Sequence, residues 1–230
     1  MSIAENVAAA RERIAVACAR TGRCPDEVRI VAASKTQAAG AIAEAIAAGV
    51  DAIGENRVQE AAEKRPLVGM SVPWHLIGPL QRNKARHALE LFDVVETIDR
   101  IELADRLEGL LLAGTRVLPV FLEVNVGEEP QKSGVLPDRA PDLAAHLAAR
   151  CPHLRLAGVM AIPPYDPEPE RSRPHFARLR QLALRLREEL GLDRLEISMG
   201  MSEDFVVAAE EGATIVRLGR VLFGERAAKR

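Results

Sequence analysis

The chain has 230 residues, of which 48% are hydrophobic, so it can bury the core of one sizeable domain. Lys and Arg number 31 and Asp and Glu 33, and the resulting formal net charge of -2 excludes a nucleic-acid binder driven by bulk positive charge. Aromatic residues make up only 3%, which argues against stacking platforms for bases, and no apolar run approaches membrane-spanning length.

The cysteines Cys18, Cys24 and Cys151 are scattered along the chain without a CxxC pair. This pattern predicts neither a disulfide framework nor a zinc site, and we expect no metal. Charged residues such as Glu5 and Arg11 near the N-terminus are not those of a signal peptide. We therefore expect a cytoplasmic protein in a reducing compartment. We also expect a monomer, because no heptad or large apolar surface stripe is evident.

The first predicted element is an amphipathic helix within residues 1–25, with Ser2 and Glu5 as a capping box at its start. From residue 28 to residue 224, short apolar strands alternate with helices rich in Ala, Leu, Glu and Arg. Asp99 and Glu102 predict another capping box after the fourth strand. The eight predicted strands are Arg29 to Ser34, Asp51 to Gly54, Trp74 to Gly78, Val94 to Thr97, Val117 to Val126, Leu154 to Met160, Leu195 to Ser198 and Thr214 to Leu218.

This alternation predicts an α/β protein with a single-domain (β/α)8 TIM barrel and an extra N-terminal helix, spanning residues 1–230. A doubly wound sheet is the competing fold. The turn after the first strand reads Ser34-Lys35-Thr36-Gln37, and its lack of G-x-G-x-x-G favours the barrel. Residues 163–174 hold five prolines and predict a long exposed loop after the sixth strand.

Lys35 ends the first strand, a β-branched apolar run that is typical of a buried strand. A partly desolvated lysine loses pKa and becomes a nucleophile that can form a Schiff base with an aldehyde. The alternative is that its amine reaches the rim and pairs with a carboxylate.

The predicted strand ends bring many polar groups to one rim of the barrel, where the chemistry of such barrels gathers. Each of these residues alone is weak evidence for a site, but their convergence predicts one. They are Lys35, Glu55, Asn56, His75, Gly78, Asn125, Met160, Ser198, Arg217 and Gly219.

The segments after the last two strands predict a phosphate site. Ser198-Met199-Gly200-Met201-Ser202 follows strand seven, and Arg217-Leu218-Gly219-Arg220 follows strand eight and leads into a short helical turn. Glycines let backbone N–H groups approach a ligand, and helix N-termini favour anions. A phosphate cradle opposite an amine suits a phosphorylated aldehyde, for which pyridoxal 5′-phosphate (PLP) is the obvious candidate. The alternative is that Gly200 and Gly219 only make tight turns.

Arg217, near the end of strand eight, is positioned to donate to the pyridine nitrogen of such a cofactor. Because arginine cannot accept a proton, the ring nitrogen would stay unprotonated and the ring would be a poor electron sink. Reactions through a stabilised carbanion, such as transamination, would then be disfavoured. The alternative is a salt bridge between Arg217 and a rim carboxylate.

A series of motifs from about Arg29 to Gly224 closely resembles the pyridoxal phosphate homeostasis protein family. The resemblance implies a barrel like the N-terminal domain of alanine racemase, with PLP held as a Schiff base on Lys35. The motifs, in order, are Val31-Ala32-Ala33-Ser34-Lys35-Thr36, Gly54-Glu55-Asn56-Arg57-Val58-Gln59-Glu60, Trp74-His75-Leu76-Ile77-Gly78-Pro79-Leu80-Gln81-Arg82-Asn83-Lys84, Glu123-Val124-Asn125-Val126, Lys132-Ser133-Gly134, Gly158-Val159-Met160-Ala161-Ile162-Pro163 and Ser198-Met199-Gly200-Met201-Ser202.

The resemblance also implies roles for particular side chains. The phosphate would be held around Ser198, Gly219 and Arg220, and Arg217 would face the ring nitrogen. The pocket would further be lined by Asn56, His75 and Met160. The chain departs from the family at Arg220, where a threonine usually helps to hold the phosphate.

Three functions remain open from the sequence. The first is a PLP carrier for intracellular vitamin B6 homeostasis, without robust turnover, which would pass PLP to dependent apoenzymes. The second is an amino-acid racemase, but Tyr165 is the one tyrosine in the chain and no second domain is evident to supply another base. The third is an aldolase-type barrel that uses Lys35 without a cofactor.

Overall fold

A computed structural model describes residues 1–69 and 71–224, so residues 225–230 of the predicted domain lie outside the described residues. Eight parallel strands form a closed barrel in chain order, which confirms the predicted (β/α)8 fold. The strands are β1 (Arg29–Ala33), β2 (Ala52–Glu55), β3 (Trp74–Leu76), β4 (Val94–Ile98), β5 (Leu118–Glu123), β6 (Leu154–Met160), β7 (Glu196–Ser198) and β8 (Ile215–Leu218). The helices are α1 (Ile3–Arg20), α2 (Ala39–Ala47), α3 (Val58–Val68), α4 (Ala85–Leu91), α5 (Ile101–Leu111), α6 (Ala140–Arg150), α7 (Arg173–Glu189), α8 (Phe205–Glu210) and α9 (Arg220–Phe223).

Closure of the barrel places the first and last strands side by side. Ala32 of β1 pairs with Leu218 of β8, while Ala33 pairs with Gly54 of β2. Because all these strands are parallel, the segments that follow β1, β2 and β8 meet at one rim. The register therefore brings the segment of Lys35 next to those that follow β2 and β8.

Helix α1 is the predicted extra helix, and its capping box is confirmed. The Ser2 hydroxyl accepts from the Glu5 N–H at 3.2 Å, and the Glu5 carboxylate accepts from the Ser2 N–H at 2.7 Å. Its buried stripe packs against α2, α8 and α9. The Asn6 side chain donates to the Leu222 carbonyl at 2.8 Å, so α1 supports the short helix that follows β8.

The capping box predicted at the start of α5 is wrong. The helix begins at Ile101, its N-cap residue is Arg100, and no side chain caps it. The Asp99 carboxylate instead accepts a hydrogen bond from the Arg100 guanidinium. An adjacent arginine has thus displaced the backbone N–H groups as the partner of Asp99.

The loop after β6 is shorter than predicted and only partly exposed. Tyr165 is 78% exposed, but Pro163 is buried, a 3-10 turn follows at Pro169–Ser172, and α7 begins at Arg173. Across the described residues, no helix has both the length and the apolar character needed to cross a bilayer.

The interior of the barrel is partly apolar and partly polar. An apolar cluster inside it includes Val31, Ile77, Phe121, Met160 and Ile215. Seven polar or charged side chains of the strands are buried as well, and such groups are costly unless they are hydrogen-bonded or used. These are Glu55, His75, Glu96, Thr97, Glu123, Ser198 and Arg217.

Candidate cofactor site

A cavity of about 270 Å³ opens at the C-terminal ends of the strands. Its volume lies near the lower end of small-molecule pockets, roughly 300 Å³. The predicted residues Lys35, Asn56, Arg217, Gly219 and Arg220 all line it. The remaining lining residues are Ala33, Ile77, Ile162, Tyr165, Met201, Ser202 and Glu203.

The Lys35 side chain is partly buried in this wall and has no carboxylate partner among the described residues. Lys64 and Lys132, by contrast, each form an ion pair with glutamates. The structure therefore does not show the alternative in which Lys35 pairs with a rim carboxylate. An amine without such a pair is available to a ligand in the cavity.

Ser34, directly before Lys35, is anchored to the end of β2. Its hydroxyl donates to the fully buried Glu55 carboxylate at 2.7 Å. The Lys64 ammonium donates to the same carboxylate at 2.5 Å and to the Ser34 carbonyl at 3.0 Å. This buried ion pair fixes the backbone on the N-terminal side of Lys35.

Thr36, directly after Lys35, has a φ of 68°, a left-handed conformation that is costly for a β-branched residue. Its N–H donates to the Glu60 carboxylate at 3.1 Å, and Lys64 donates to the same oxygen at 3.0 Å. Burial opposes ionisation of Glu60, but these partners outweigh it and lower the pKa of this carboxyl. Lys35 thus lies on a turn that is anchored on both sides.

A buried chain of hydrogen bonds starts at Arg217 and crosses the barrel interior. Its guanidinium donates to the Ser198 hydroxyl at 2.7 Å and to the Ala161 carbonyl at 2.9 Å. Ser198 donates to one oxygen of Glu96 at 2.6 Å, and His75 Nδ1 lies 2.6 Å from the other oxygen. The chain fixes Arg217 at the inner end of the cavity.

The charges in this chain are complementary. Burial opposes ionisation of Glu96, but hydrogen bonds from His75 and Ser198 and the charge of Arg217 outweigh it and lower the pKa of the carboxyl. Since the ionised carboxylate only accepts, Nδ1 of His75 carries the proton. Burial also lowers the pKa of Arg217, although an arginine stays cationic in proteins. Arg217 therefore presents a buried positive charge whose main partner is Glu96.

Ser202 marks the other end of the cavity. Its hydroxyl accepts from the backbone N–H groups of Gly219 at 3.4 Å and Val221 at 3.2 Å. These are long contacts at the start of α9, and a phosphate oxygen is a stronger acceptor for such N–H groups. The residues present at this end fit an anionic group.

The two glycines of the predicted phosphate loops play different parts. Gly200 has a φ of 92°, and a Cβ there would lie 2.5 Å from the Cβ of Ala208. Position 219 does not require a glycine, because a Cβ there would meet no atom closer than the Ala33 carbonyl oxygen at 3.5 Å. The turn interpretation therefore holds for Gly200, whereas Gly219 lines the cavity.

Arg220 replaces the threonine that the family resemblance leads one to expect. Its guanidinium pairs with Glu203 at 2.6 Å, and both residues lie on the cavity wall. The Arg220 side chain is 54% exposed, so the guanidinium is held at the rim. Its backbone lies at the first position of α9, beside the N–H groups of Gly219 and Val221.

The structure places three of the predicted site residues below the cavity wall. His75 instead lines a second cavity of about 220 Å³ at the opposite end of the barrel. Met160 is fully buried in the apolar interior cluster, and Ser198 is fully buried between Arg217 and Glu96. The pleat of the strands explains this depth, because Ile77 lies two residues beyond His75 on the same face and reaches the wall.

Several lining residues were missed by sequence reasoning. Ser202 stood in the same motif as Ser198, but the sequence does not show which of the two hydroxyls reaches the phosphate loops. Tyr165 lies in the proline-rich loop, and its position on the wall depends on how that loop folds back over the barrel. Met201, Glu203 and Ile162 come from the segments that follow β7 and β6.

Glu123, at the end of β5, is a buried carboxyl that the hydrogen-bond chain does not use. It is 8% exposed, and its Oε2 has no hydrogen-bond partner. Burial and the charge of Asp99 raise its pKa to about 7, against the opposing charge of Arg217. Glu123 therefore takes up a proton in the folded protein near neutral pH.

Glu123→Gln is expected to remove a pH dependence of stability. The folded-state pKa is about 7 against an ordinary value of 4.5, so the stability that the bound proton contributes is fully present below pH 4.5 and is lost as the pH rises through 7. The variant should be more stable than the parent at pH 8, by on the order of 2 kcal/mol, and nearly equal to it at pH 4. Urea unfolding of both proteins at the two pH values measures this, and parallel pH profiles would contradict it.

Comparison with known proteins places this architecture in a defined class. The family model "Alanine racemase, N-terminal domain" matches residues 5–227. A protein from Bifidobacterium adolescentis has the same fold, with a TM-score of 0.89 and 36% identity, covering 96% of this chain and 94% of that one. The fold and the cavity thus define a barrel of the alanine racemase N-terminal class.

Two further relatives narrow the assignment. The pyridoxal phosphate homeostasis protein of Pseudomonas aeruginosa is 47% identical over 228 residues, covering 98% of this chain and 96% of that protein. The PLP-bound structure of PipY from Synechococcus elongatus has a TM-score of 0.84 at 35% identity, covering 97% of this chain and 100% of PipY. The chain belongs to the pyridoxal phosphate homeostasis protein family.

Proposed function

We propose that this protein binds PLP in the cavity at the C-terminal ends of the strands and serves PLP homeostasis as a carrier. The observation that carries the proposal is the amine of Lys35, which lies without a carboxylate partner in a cavity whose far end fits an anion. The aldehyde of PLP is the group that a lysine amine attacks, and its phosphate is the matching anion. A relative of the same fold is a PLP-bound structure, which supports the proposal.

Each side chain at the site has a role in this proposal. Lys35 supplies the amine, and Asn56 lines the wall beside it. The phosphate is held by the Ser202 hydroxyl and the N–H groups at Gly219 and Arg220. Arg217 faces the ring nitrogen. Because its guanidinium is always protonated and can only donate hydrogen bonds, it cannot accept one from a protonated ring nitrogen, so this nitrogen stays unprotonated. Ser198, His75 and Met160, which the sequence placed around the cofactor, act from below by fixing Arg217 or by packing.

In this proposal the PLP-loaded protein does not catalyse a robust turnover of amino acids. An unprotonated ring nitrogen disfavours carbanion chemistry, and a racemase needs two bases on opposite faces of the cofactor. Tyr165 lines the cavity and is the one observation that favours the racemase alternative. It is 78% exposed and no hydrogen bond within the described part of the chain fixes its hydroxyl, so it is poorly placed as a base.

Incubating the PLP-loaded protein with single-enantiomer alanine in D2O decides between the two functions. We expect no sustained exchange of the α-proton and no loss of optical purity over hours. Exchange with turnover that Tyr165→Phe abolishes would overturn the carrier function and establish the racemase. The measurement uses the full chain and leaves the cofactor assignment itself untouched.

Ser202→Ala is expected to weaken the binding of PLP about tenfold, since a hydrogen bond to a charged group contributes about 1.5 kcal/mol or more. The same substitution should leave the affinity for pyridoxal, which lacks the phosphate, nearly unchanged. Absorbance titrations of the parent and of Ser202→Ala with PLP and with pyridoxal measure this difference.

Ser71→Ala, at an exposed serine away from the cavity, is the matched control for this titration. An equal loss of affinity for PLP and pyridoxal in Ser202→Ala would contradict the placement of the phosphate. Tight binding of a small carbonyl compound with no affinity for PLP would instead favour the cofactor-free aldolase.

We further propose that the protein acts as a cytoplasmic monomer that passes PLP to dependent apoenzymes. The partly open cavity supports the transfer of PLP, because a ligand held at a rim can leave without a large rearrangement. Transfer is measured by the reactivation of an apoenzyme of a PLP-dependent transaminase by the loaded protein. Reactivation no faster than with an equal amount of free PLP would contradict direct transfer.

A further inference from the structure

Three potential metal ligands meet on the outside of the barrel, between α5 and α6. Asp105 comes from α5, His146 from α6, and Cys151 ends that helix. Their ligand atoms all lie within 4.8 Å of one another, and His146 Nε2 is 2.6 Å from an oxygen of Asp105. These residues lie outside the cofactor cavity, and neither PLP binding nor the fold requires them to meet.

Cys151 is the member of the trio that a simple hydrogen-bonded pair does not explain. It is 1% exposed, and its thiol has no hydrogen-bond partner among the described residues. The thiol nevertheless faces an imidazole nitrogen and a carboxylate oxygen within 4.8 Å. A buried thiol beside these two donors matches the ligand chemistry of zinc, which combines sulfur, nitrogen and carboxylate oxygen.

We propose that Asp105, His146 and Cys151 form a Zn²⁺ site with water as the fourth ligand. In a tetrahedral site with metal–ligand distances of about 2.0–2.3 Å, ligand atoms lie about 3.3–3.8 Å apart. The observed separations, from 2.6 Å between His146 Nε2 and an oxygen of Asp105 up to at most 4.8 Å, bracket this range. On binding, Zn²⁺ replaces the hydrogen bond between His146 Nε2 and Asp105, and the imidazole proton passes through water to Nδ1 so that Nε2 can coordinate. The proton of the Cys151 thiol leaves as H⁺, and the resulting thiolate and the Asp105 carboxylate together neutralise the metal charge.

The surroundings of the trio favour a cation and provide access to it. The Asp105 side chain is 55% exposed and that of His146 is 21% exposed, so the metal and its water can enter from solvent. Glu108 lies one turn from Asp105, and its carboxylate is bound to His153 Nδ1 at 2.6 Å and to the His153 N–H at 3.0 Å. Glu108 thus adds negative potential without competing as a ligand.

Cobalt titration of the chelator-treated full-length protein tests the site without reference to PLP. Co²⁺ bound to a thiolate gives a charge-transfer band in the near ultraviolet together with visible ligand-field bands. We expect both at one equivalent of Co²⁺, followed by their loss when Zn²⁺ is added. Cys151→Ser should abolish the charge-transfer band, and Cys24→Ser, at an exposed cysteine, should retain it.

Asp105→Asn provides a second variant that changes an exposed side chain and leaves the core intact. It is expected to weaken Co²⁺ binding at least tenfold, with an unchanged melting temperature in the absence of metal. The proposal is overturned if no thiolate band forms at millimolar Co²⁺, or if the band persists in Cys151→Ser. It is also overturned if Asp105→Asn binds Co²⁺ as tightly as the parent.

Discussion

Lys35→Ala is expected to weaken PLP binding about a hundredfold or more and to remove the absorbance band near the visible edge. The parent holds the cofactor both through the Lys35 amine and through the phosphate contacts at Ser202 and Gly219, and the variant keeps only the contacts. A hundredfold loss corresponds to about 2.7 kcal/mol, which is modest for the loss of a covalent attachment. Absorbance and equilibrium dialysis of the purified protein with PLP measure the two effects.

Lys84→Ala is the matched control for this substitution. Lys84 is partly buried and, like Lys35, has no ion pair among the described residues, but it does not line the cavity. Its replacement should leave both the band and the affinity unchanged. A Lys35→Ala protein that retained the band would show that another amine holds the cofactor.

Glu96→Gln is expected to lower the free energy of unfolding by about 3 kcal/mol, because it leaves the buried charge of Arg217 without its main partner. Glu123 and Asp204 lie near enough to affect Arg217 but are not hydrogen-bonded to it, whereas Glu96 is linked to it through the Ser198 hydroxyl. The amide of the variant has the shape of the Glu96 carboxylate and can still hydrogen-bond to His75 and Ser198. The substitution therefore tests the effect of removing the negative charge at this position. Urea unfolding of the cofactor-free protein measures the loss.

Glu90→Gln is the control for that experiment, since the Glu90 side chain is 60% exposed. A substitution at such a surface position is expected to change stability by no more than about 0.5 kcal/mol. If Glu96→Gln destabilised the protein as little as Glu90→Gln, the buried chain from Arg217 to His75 would not be the ionic arrangement described above.

Much of the site was predictable because of one property of the fold. The ends of parallel strands in a closed barrel share a rim, so residues that follow strands in sequence become neighbours in space. The shared rim brings Lys35, Asn56, Arg217 and Gly219 to the same wall, although they lie far apart in the chain. Only the positions of the strands are needed to predict this, and alternating apolar runs reveal them well.

Depth within the barrel was not predictable in the same way. Ser198 and Ser202 lie four positions apart in one motif, yet one is sealed beneath Arg217 and the other lies at the phosphate loop. His75 of β3 points to the same side as Ile77, which lies two residues further along, but His75 lines the cavity at the opposite end of the barrel while Ile77 lines the cofactor cavity. Such differences depend on where each strand begins relative to its neighbours, which the sequence does not encode locally.

Contacts between helices and loops were also out of reach of the sequence. Lys64 forms ion pairs with Glu55 and Glu60, and these pairs fix the Lys35 turn. Lys64 and Glu55 also hydrogen-bond to Ser34, which is visible only once α3 is packed against the rim. The capping box predicted at Asp99 is wrong because the Asp99 carboxylate accepts a hydrogen bond from the Arg100 side chain instead of from the backbone of the helix.

Reductive mapping shows directly which lysine holds PLP. The full-length protein is loaded with PLP, reduced with borohydride, digested and examined by mass spectrometry. We expect a single stoichiometric adduct on Lys35, with Lys64, Lys84 and Lys132 unmodified. A stoichiometric adduct on another lysine, with Lys35 free, would contradict this expectation.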